Sequence, residues 1–266
     1  MGRSPSARSI GELTFPEVSR KLRQSSILCL PIGAIEQHGA HLPLNTDVVV
    51  AEELTRVLIA RFGDQFDLWQ LPTLSIGLSR EHDWAPGTLS LSVQTFAALL
   101  KEMAREIVRS LPARNLAIVN GHGGNRGILE NLLRELRSEL ALNACVIHPF
   151  DLAGAPNDGA VPDVHGGAGE TSVMLALAPD LVRGDMIASA EPPPAPDGIA
   201  ALIFDRAVTW PWRTDDPRLA QGGIIGDPRE ASPERGRAMV ERMIAQARGV
   251  FARLLENQSF MGKTAR

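Results

Sequence analysis

Short apolar runs without polar alternation recur along the chain and predict the strands of a parallel sheet. The runs are Ile27 to Ile32, Phe66 to Leu74, Leu116 to Val119, and Ala144 to His148. A strand that is apolar at consecutive positions is buried on both faces, which is typical of a parallel sheet covered by helices. Ile27 to Ile32 shows this pattern and Leu116 to Val119 is a second short buried strand, while Phe66 to Leu74 and Ala144 to His148 are predicted as further strands.

Apolar positions at helical spacing fill the stretches between these runs. A short amphipathic helix is expected at about 15 to 23, because Thr14 and Glu17 are spaced as a capping box around Pro16. Longer helices are predicted at 50–63, 93–111, 128–140, 170–177 and 232–254. Strands and helices thus alternate, which indicates an α/β fold: a three-layer α/β/α arrangement with a mainly parallel central sheet.

Length and composition favour a single domain over residues 1–266. The chain has 266 residues with 44% hydrophobic and 22% charged content, which is enough for one large core. Residues 1–10 and 258–266 are expected to be loose tails. Residues 185–230 hold a cluster of prolines together with Trp210 and Trp212, and are interpreted as an ordered but irregular excursion that serves as an interface or a lid.

Charge and cysteine content narrow the partners and the compartment. The net charge is −4 and no basic patch is visible, so neither nucleic acid nor an acidic membrane surface is expected as a partner. Cys29 and Cys145 lie inside apolar runs and offer no disulfide framework or thiolate zinc motif. No apolar run approaches the ~20 residues of a membrane span. A small-molecule substrate and a cytoplasmic location are therefore predicted.

Candidate metal ligands cluster directly after the first predicted strand. Glu36, His38, His41 and Asp47 lie within twelve residues, and the positions between them include glycine, proline and asparagine. Those residue types favour turns over continued strand or helix. The stretch is therefore predicted to be a loop that holds donor groups.

Two further loops carry the same kinds of side chain. Residues 120–125 follow the strand that ends at Val119 and contain His122, and residues 163–170 contain His165 and Glu170. Because ligands bind outside the carboxyl ends of parallel strands, these loops are expected to converge. Carboxylates and imidazoles without thiolates suit zinc, manganese, iron or cobalt, and they argue against a purely structural zinc.

Four ordered motifs resemble those of the creatininase family of metal-dependent amidohydrolases. They are Glu36-Gln-His38-Gly-Ala-His41-Leu-Pro followed by Thr46-Asp47, Asn120-Gly-His122-Gly-Gly-Asn125, His165-Gly-Gly-Ala-Gly-Glu170-Thr-Ser172, and Gly226-Asp-Pro228. The likeness covers roughly residues 12 to 255. It implies a dinuclear site with two divalent ions per subunit (zinc, manganese or iron), and a homo-oligomer, namely a hexamer built as a trimer of dimers.

The resemblance also implies which residues hold the ions. Glu36, Asp47 and His122 match the ligands of one metal, while His38 and a bridging Asp47 match those of the other. In creatininase a glutamate two residues after the loop histidine completes the second site, and this position is Gly124 here.

The glycine at position 124 requires a replacement ligand, because a two-metal site that loses a carboxylate loses charge and geometry. We hypothesise that Glu170, from the third loop, fills the gap. His41 is expected to orient or pack against other groups and not to bind metal.

The reaction implied by a pair of metals is hydrolysis of a C–N amide bond by a hydroxide that bridges them. His165 matches a histidine with a catalytic role in the family, so it is either the proton donor to the leaving nitrogen or a residue that supports the ligands. Glu170 is counted as catalytic as well as metal-binding.

Substrate contacts are expected from the loop at 75–90, which is polar and rich in turns. His82 and Trp84 could line the pocket, and Ser79 lies near a position that contacts substrate in creatininase. Gly123 is a further candidate, because glycine permits close approach of the backbone. Creatinine itself is disfavoured as substrate, because the tyrosine and glutamate that follow the loop histidine in creatininase are both glycine here.

Three functions remain open. The first is an amidohydrolase that acts on a cyclic amide, lactam or formamide. The second is a metallopeptidase like the family branch that trims a modified precursor peptide in mycofactocin maturation. The third, from another class, is a metal-binding protein without catalytic activity.

Overall fold

A four-stranded parallel sheet organises the computed structural model, which describes residues 8–154, 163–191, 194 and 210–264. The strand order is β2-β1-β3-β4. The strands are β1 (Ile27–Ile32), β2 (Leu68–Gln70), β3 (Asn115–Asn120) and β4 (Asn143–Ile147). Since β1 pairs in parallel with both β2 and β3, the carboxyl ends of β1 and β3 lie side by side.

Helices connect the strands and cover the sheet. In the described residues they are α1 (Phe15–Lys21), α2 (Thr46–Phe66), α3 (Val93–Ser110), α4 (Arg126–Leu140), α5 (Pro149–Ala153), α6 (Ala168–Leu177), α7 (Gly184–Ala188) and α8 (Pro233–Thr264). Among these, no helix combines the length and the apolar character needed to cross a lipid bilayer.

Consecutive residues of β1 face opposite sides of the sheet, as a pleated strand requires. Ile27 and Cys29 pack into the core formed with α2, α5, α6 and α8. Leu28 and Leu30 pack into the core formed with α3 and α4. The sheet is therefore the middle of three layers, and the predicted α/β/α fold with a parallel sheet is confirmed.

Two boundaries predicted from the sequence are wrong. The helix α2 continues past Gly63 to Phe66, and β2 spans Leu68–Gln70 instead of 66–74. Gly63 is buried inside the helix, which ends at Asp67, a residue with a left-handed φ of 51°. Arg8 lies against Gly63 and pairs with Asp67. Contacts from a distant segment thus set this helix end, and local spacing does not encode them.

The chain ends are more ordered than expected where they are described. Arg8 is held by its ion pair with Asp67. The helix α8 continues to Thr264, so the residues from 258 onward that were expected to be loose are helical up to that point. Gln258 accepts a hydrogen bond from Asn115 at the start of β3, which ties this end of the helix to the sheet.

The predicted excursion at 185–230 lies partly outside the described residues, namely at 192–193 and 195–209. Its described part from 210 to 227 consists of turns and isolated bridges. One bridge joins Ile225 to His165 in antiparallel fashion. This contact brings the segment to the edge of the sheet where the candidate ligands lie.

Two glycines allow the ends of β1 and β3 to touch the first turn of α2. A Cβ at Gly33 would lie 2.5 Å from the backbone nitrogen of Val48, and one at Gly121 would lie 2.2 Å from the carbonyl oxygen of Asp47. Real Cβ atoms do not approach so closely, so both positions need a residue without a side chain. This contact holds Asp47 between the two strand ends.

Candidate metal centre and cleft

Five ionisable side chains from separate segments converge at the carboxyl edge of the sheet. Glu36 and His38 follow β1, Asp47 lies in the first turn of α2, His122 follows β3, and Glu170 lies in the first turn of α6. The first four are buried and Glu170 is half-buried. The structure therefore brings together every residue that was expected to bind metal.

The donor atoms are spaced as ligands of a metal ion are. His38 Nε2 lies 3.3 Å from Asp47 Oδ1 and 3.7 Å from Glu170 Oε2. His122 lies on the other side of Asp47, with Nδ1 3.1 Å from Asp47 Oδ2 and Nε2 3.4 Å from Glu36 Oε2. Bonds of about 2.0–2.2 Å around a tetrahedral ion place its ligand atoms about 3.4 Å apart. Asp47 lies between the two histidines and faces both.

Four buried atoms at the centre make no hydrogen bond among the described residues. They are both carboxylate oxygens of Glu36, Nε2 of His38 and Oδ2 of Asp47. A buried polar atom without a partner costs roughly 1–3 kcal/mol, and more if it is charged. Because all four atoms point into one cluster, the donor set fits divalent metal ions.

The orientation of His38 favours metal binding through one nitrogen. Its Nδ1 lies 3.2 Å from the backbone oxygen of Glu36. A carbonyl oxygen only accepts, so Nδ1 carries a proton and Nε2 is the nitrogen that could bind a metal once its own proton is displaced. Fixing the tautomer through the second ring nitrogen in this way is usual for histidines that bind metal.

The charges in the cluster shift the pKa values of its members in opposite directions. Burial would lower the pKa of His38, but Asp47, Glu170 and Glu36 outweigh it and raise the value to about 9. Burial would raise the pKa of Asp47, but His38 and His122 hold it well below its usual range. The buried carboxylates thus require a neighbouring positive charge. Histidine protons supply it here, and a bound divalent ion would displace them.

His165 lies beside the cluster and contacts the irregular segment 210–227. Its backbone bonds Ile225, and its Nε2 donates to the backbone oxygen of Gln37 at 2.7 Å. In the neutral ring Nδ1 is therefore unprotonated, and it lies 3.6 Å from Glu36 Oε1. Burial, together with the nearby His38, lowers the pKa of His165 well below its usual value.

A cleft of about 540 Å³ opens above these residues. Its wall includes His122, Gly123, His165 and Glu170, and the outer side is formed by residues 210–213 with two tryptophans. Of the candidate ligands, His122 and Glu170 line this cleft, so a molecule in the cleft would meet these two residues and the aromatic wall together.

The predicted substrate-contact residues are placed in different ways. Gly123 and His82 line the cleft. Ser79 and Trp84 are not among the residues that line the cleft, and their contact with substrate stays a prediction. Ser79 is fully buried. The Trp84 indole donates to Thr214 at 3.0 Å, which directs its polar edge into the protein.

His41 and Thr171 form a hydrogen bond that explains the role of His41. His41 Nε2 lies 2.8 Å from the Thr171 hydroxyl, one residue after Glu170. The ring is buried and binds the helix that carries Glu170. This placement agrees with an orienting role.

Three residues at the site were missed by the sequence reasoning. Glu81 faces His122 at 3.7 Å. Gln37 donates its side-chain amide to Gly223 at 2.8 Å, and Thr214 hydrogen-bonds with the side chains of both Gln37 and His82. For Glu81 the only sequence signal was its place beside His82 in a polar loop. For Gln37 and Thr214 the sequence carried no signal, because amides and hydroxyls are common in loops.

Comparison with known proteins places this arrangement in a family. The model of the creatininase family, described as creatinine amidohydrolase, matches residues 11–250. The mycofactocin precursor peptide peptidase of Mycobacterium tuberculosis is 31% identical over 242 residues, or 88% of each chain. The creatinine amidohydrolase of Pseudomonas putida is 31% identical over 253 residues, covering 87% of this chain and 91% of that protein.

Solved structures show the same likeness. A mutant creatininase in a Zn–Zn form superposes with a TM-score of 0.73 at 28% identity, covering 94% of this chain and 97% of that chain. A manganese form of creatininase superposes with a TM-score of 0.71, also at 28% identity, covering 94% and 98%. The fold and the cluster define a metal-dependent hydrolase of the α/β class.

The chain belongs to the creatininase family. The named relatives are hydrolases that act on C–N bonds, so the expectation of an enzyme of this class is confirmed at the level of the family. The structural neighbours are manganese and zinc forms, and the chain itself groups histidines and carboxylates that could hold such an ion.

Proposed function

We propose that this protein is a dinuclear amidohydrolase that hydrolyses a C–N amide bond in a small molecule such as a cyclic amide, lactam or formamide. The observation that carries the proposal is the set of four buried, unpartnered donor atoms on Glu36, His38 and Asp47. Their neighbours His122 and Glu170 line an open cleft, which brings a substrate in the cleft next to the cluster.

Five residues would hold the ions. Glu36 and His122 serve one position, His38 and Glu170 serve the other, and Asp47 lies between them. Bound there, the ions would supply Lewis-acid polarisation of the amide carbonyl and would lower the pKa of a water molecule.

Glu170 takes the place of the carboxylate that position 124 lacks. Its Oε2 lies 3.7 Å from His38 Nε2. The same oxygen accepts a hydrogen bond from the backbone nitrogen of Gly166, which orients the carboxylate toward His38.

His165 would move the proton that the leaving nitrogen needs. Because its Nε2 donates to the Gln37 carbonyl, the unprotonated Nδ1 faces the reaction side near Glu36. His165 would therefore begin as a proton acceptor at Nδ1 and return that proton to the leaving nitrogen. Proton transfer by a positioned histidine contributes about 10²–10⁴ in rate.

The cleft favours a compact substrate with a flat face. Its volume of about 540 Å³ lies within the usual range of small-molecule pockets, roughly 300–1,000 Å³. Trp210 and Trp212 form the outer wall and offer aromatic surface for a planar group such as a cyclic amide.

We also propose that the protein is a homo-oligomer, namely the hexamer that the resemblance to the family implies.

A peptidase that trims a modified precursor peptide is the second candidate. It is supported by the mycofactocin peptidase relative, which aligns along 88% of both chains. The cleft is also open at the solvent side, where half-exposed Trp210 could bind a peptide residue next to the cleaved bond. Both candidates use the same ligands and differ in what the outer wall contacts.

Metal analysis combined with a hydrolysis screen tests the proposal. The wild-type protein, loaded with Mn²⁺ or Zn²⁺, is expected to bind two equivalents and to hydrolyse at least one member of a panel of lactams, cyclic ureides, formamides and short peptides. Turnover of peptides alone would favour the second candidate. Two bound equivalents without turnover on any member would favour a non-catalytic metal-binding protein.

The assignment of Glu170 is tested by Glu170→Gln, which keeps the shape of the side chain and removes its charge. We expect loss of about one equivalent of metal and of most of the activity. Glu234→Gln is the matched control, because Glu234 also lies in the first turn of a helix but is solvent-exposed. Full metal content and full rate in Glu170→Gln would refute the assignment.

A further inference from the structure

Glu81 places an additional carboxylate at the His122 side of the cluster. It belongs to a short 3-10 helix, Arg80–His82, in the loop that leads to α3. Its Oε1 lies 3.7 Å from His122 Nε2, and Glu36 Oε2 lies 3.4 Å from the same nitrogen. One ligand atom from each of Glu36, Glu81 and His122 fits within 4.8 Å of the others.

The carboxylate of Glu81 fills the space beside Gly124. A Cβ at position 124 would lie 2.8 Å from Glu81 Oε1 and 2.5 Å from His122 Nε2. A side chain at position 124 would force the Glu81 carboxylate to move, and it would also lie 2.5 Å from the backbone oxygen of Leu78. Glycine at 124 thus leaves room for Glu81 beside His122.

We propose that Glu81 is a ligand of the metal ion held by Glu36 and His122. This inference rests on the proposed two-metal function and adds a residue to it. With Glu81, the ligands of this ion are Glu36, Glu81 and Nε2 of His122. The other ion keeps His38, Glu170 and Asp47.

The charges around Glu81 support a ligand role. Among the described residues, the ion-pair contact of Glu81 is with His122. Two arginines that line the same cleft pair with other carboxylates: Arg80, next to Glu81 in the loop, with Asp83, and Arg213, in the outer wall, with Asp83 and Asp215. The Glu81 carboxylate is therefore directed at the cluster without an arginine to neutralise it.

The carboxylates of Glu36 and Glu81 lie on different sides of the His122 position, one buried and one partly exposed. Glu36 is fully buried and neither of its oxygens has a hydrogen-bond partner, whereas the Glu81 side chain is 20% exposed and lines the cleft. Glu36 thus bounds the ion position from the protein interior and Glu81 bounds it from the solvent side. An ion between them would be enclosed on the side where substrate enters.

Metal binding at this position must displace a proton. His122 Nε2 lies 2.5 Å from the Leu78 carbonyl oxygen, so this nitrogen carries a proton in the present arrangement. Ligands must be deprotonated to bind a metal, so the ion would replace that proton. If Glu81 served only as a counter-ion to a protonated His122, its removal would leave both ions bound.

The test compares Glu81→Gln with the wild-type protein by equilibrium dialysis against Mn²⁺, followed by elemental analysis. The wild type is expected to bind two equivalents. Glu81→Gln should keep one equivalent with unchanged affinity and bind the second at least about tenfold more weakly, as expected when a group that fixes a metal site is lost. The electron paramagnetic resonance spectrum should change from that of paired Mn²⁺ to that of single ions.

Two further variants make the outcome specific. Asp83→Asn is the matched control, because Asp83 lies in the same loop but pairs with arginines, and it should bind two equivalents as the wild type does. Glu81→Asp keeps the charge with a shorter side chain and should show intermediate affinity, which also gives a result if the glutamine variant does not fold.

The outcomes separate the two proposals. Two equivalents with wild-type affinities in Glu81→Gln would overturn the ligand role of Glu81 and leave the two-metal function standing. Fewer than two equivalents in the wild type would overturn both. Loss of the second equivalent in Asp83→Asn as well would also overturn the specific role of Glu81.

Discussion

The imidazole of His82 stacks on that of His165, with ring centroids 4.0 Å apart and planes inclined by 25°. Both rings are buried. Burial, together with nearby histidines, lowers the pKa of His82 to about 3 and that of His165 well below its usual value. Two neutral rings can stack closely without charge repulsion. The stack therefore fixes the plane of His165 while its Nδ1 faces the cluster.

His165→Asn tests whether His165 moves a proton. The variant places an amide near the position of Nδ1 that cannot take up and return a proton, and it is too short to replace the Nε2 donor to the Gln37 carbonyl. We expect kcat to fall by about 10²–10⁴ with two equivalents of metal still bound. The measurement is steady-state kinetics on protein whose metal content has been determined.

An outcome with full kcat in metal-loaded His165→Asn would exclude proton transfer by His165. Loss of metal together with rate would instead show that the ring supports the ligands. His148→Asn offers a control, because His148 lies after β4 and outside the wall of the cleft.

Thr214→Val tests how the outer wall is held. The Thr214 hydroxyl accepts hydrogen bonds from Trp84 and from the Gln37 amide, and it bonds with His82 Nδ1. Valine has the same shape without the hydroxyl, so buried donors lose their partner, at a cost of about 1–3 kcal/mol. We expect a lower free energy of unfolding and a raised KM, because residues 210–213 of the wall adjoin Thr214.

The control for this prediction is Thr214→Ser, which keeps the hydroxyl. Chemical denaturation and steady-state kinetics should show Thr214→Ser close to wild type. Equal behaviour of the valine and serine variants would mean that the hydroxyl does not hold the wall.

Much of the fold was predictable because buried parallel strands leave a clear pattern. The runs at β1 and β3 are apolar at nearly every position and end at the loops that carry Glu36, His38 and His122. The carboxyl ends of neighbouring parallel strands must lie together, so the meeting of these loops followed from topology. The helices α3 and α4 were predictable because each has one apolar stripe.

The rest depended on contacts between distant segments. The end of α2 depends on Arg8, which lies 59 residues from Asp67 in the sequence. The place of Glu81 depends on the absence of a side chain at position 124, and Thr214 reaches the site from a segment with no regular structure. Such contacts leave no periodicity in the sequence, so spacing alone cannot predict them.

Gly121→Ala tests the contact between β3 and α2. A Cβ at this position would lie 2.2 Å from the carbonyl oxygen of Asp47, so the loop or the helix must move. We expect a loss of about 1–3 kcal/mol in the free energy of unfolding. Displacement of Asp47 should also reduce bound metal, which elemental analysis would detect.

Gly123→Ala is the matched control two residues away. A Cβ there would meet nothing within 4 Å, so stability and metal content should not change. Because Gly123 lines the cleft, its added methyl group should act on KM alone. If both alanine variants kept wild-type stability and metal content, the contact of Gly121 with Asp47 would not be needed to hold the site.

Asp67, which lies far from the cleft, makes the folding stability depend on pH. Burial alone would raise its pKa, but hydrogen bonds from Ser26, Trp69 and Arg8 outweigh burial and lower it. A carboxyl whose pKa is lower in the folded state stabilises the fold above its unfolded-state pKa, about 3.9. This contribution is lost as the pH falls from that value through the lower folded-state pKa.

Asp67→Asn should therefore remove part of the acid sensitivity. Asparagine tolerates the left-handed φ of 51° at this position, so the change acts mainly through charge and hydrogen bonding. We expect a loss of about 1–3 kcal/mol near neutral pH and a smaller difference from wild type near pH 2, measured by urea denaturation across this range. Asp64→Asn is the control, because Asp64 also pairs with Arg8 but its side chain is fully exposed, and such pairs contribute little. If the free energy of unfolding differed from that of the wild type by the same amount at every pH, the charge of Asp67 would not be what stabilises this end of α2.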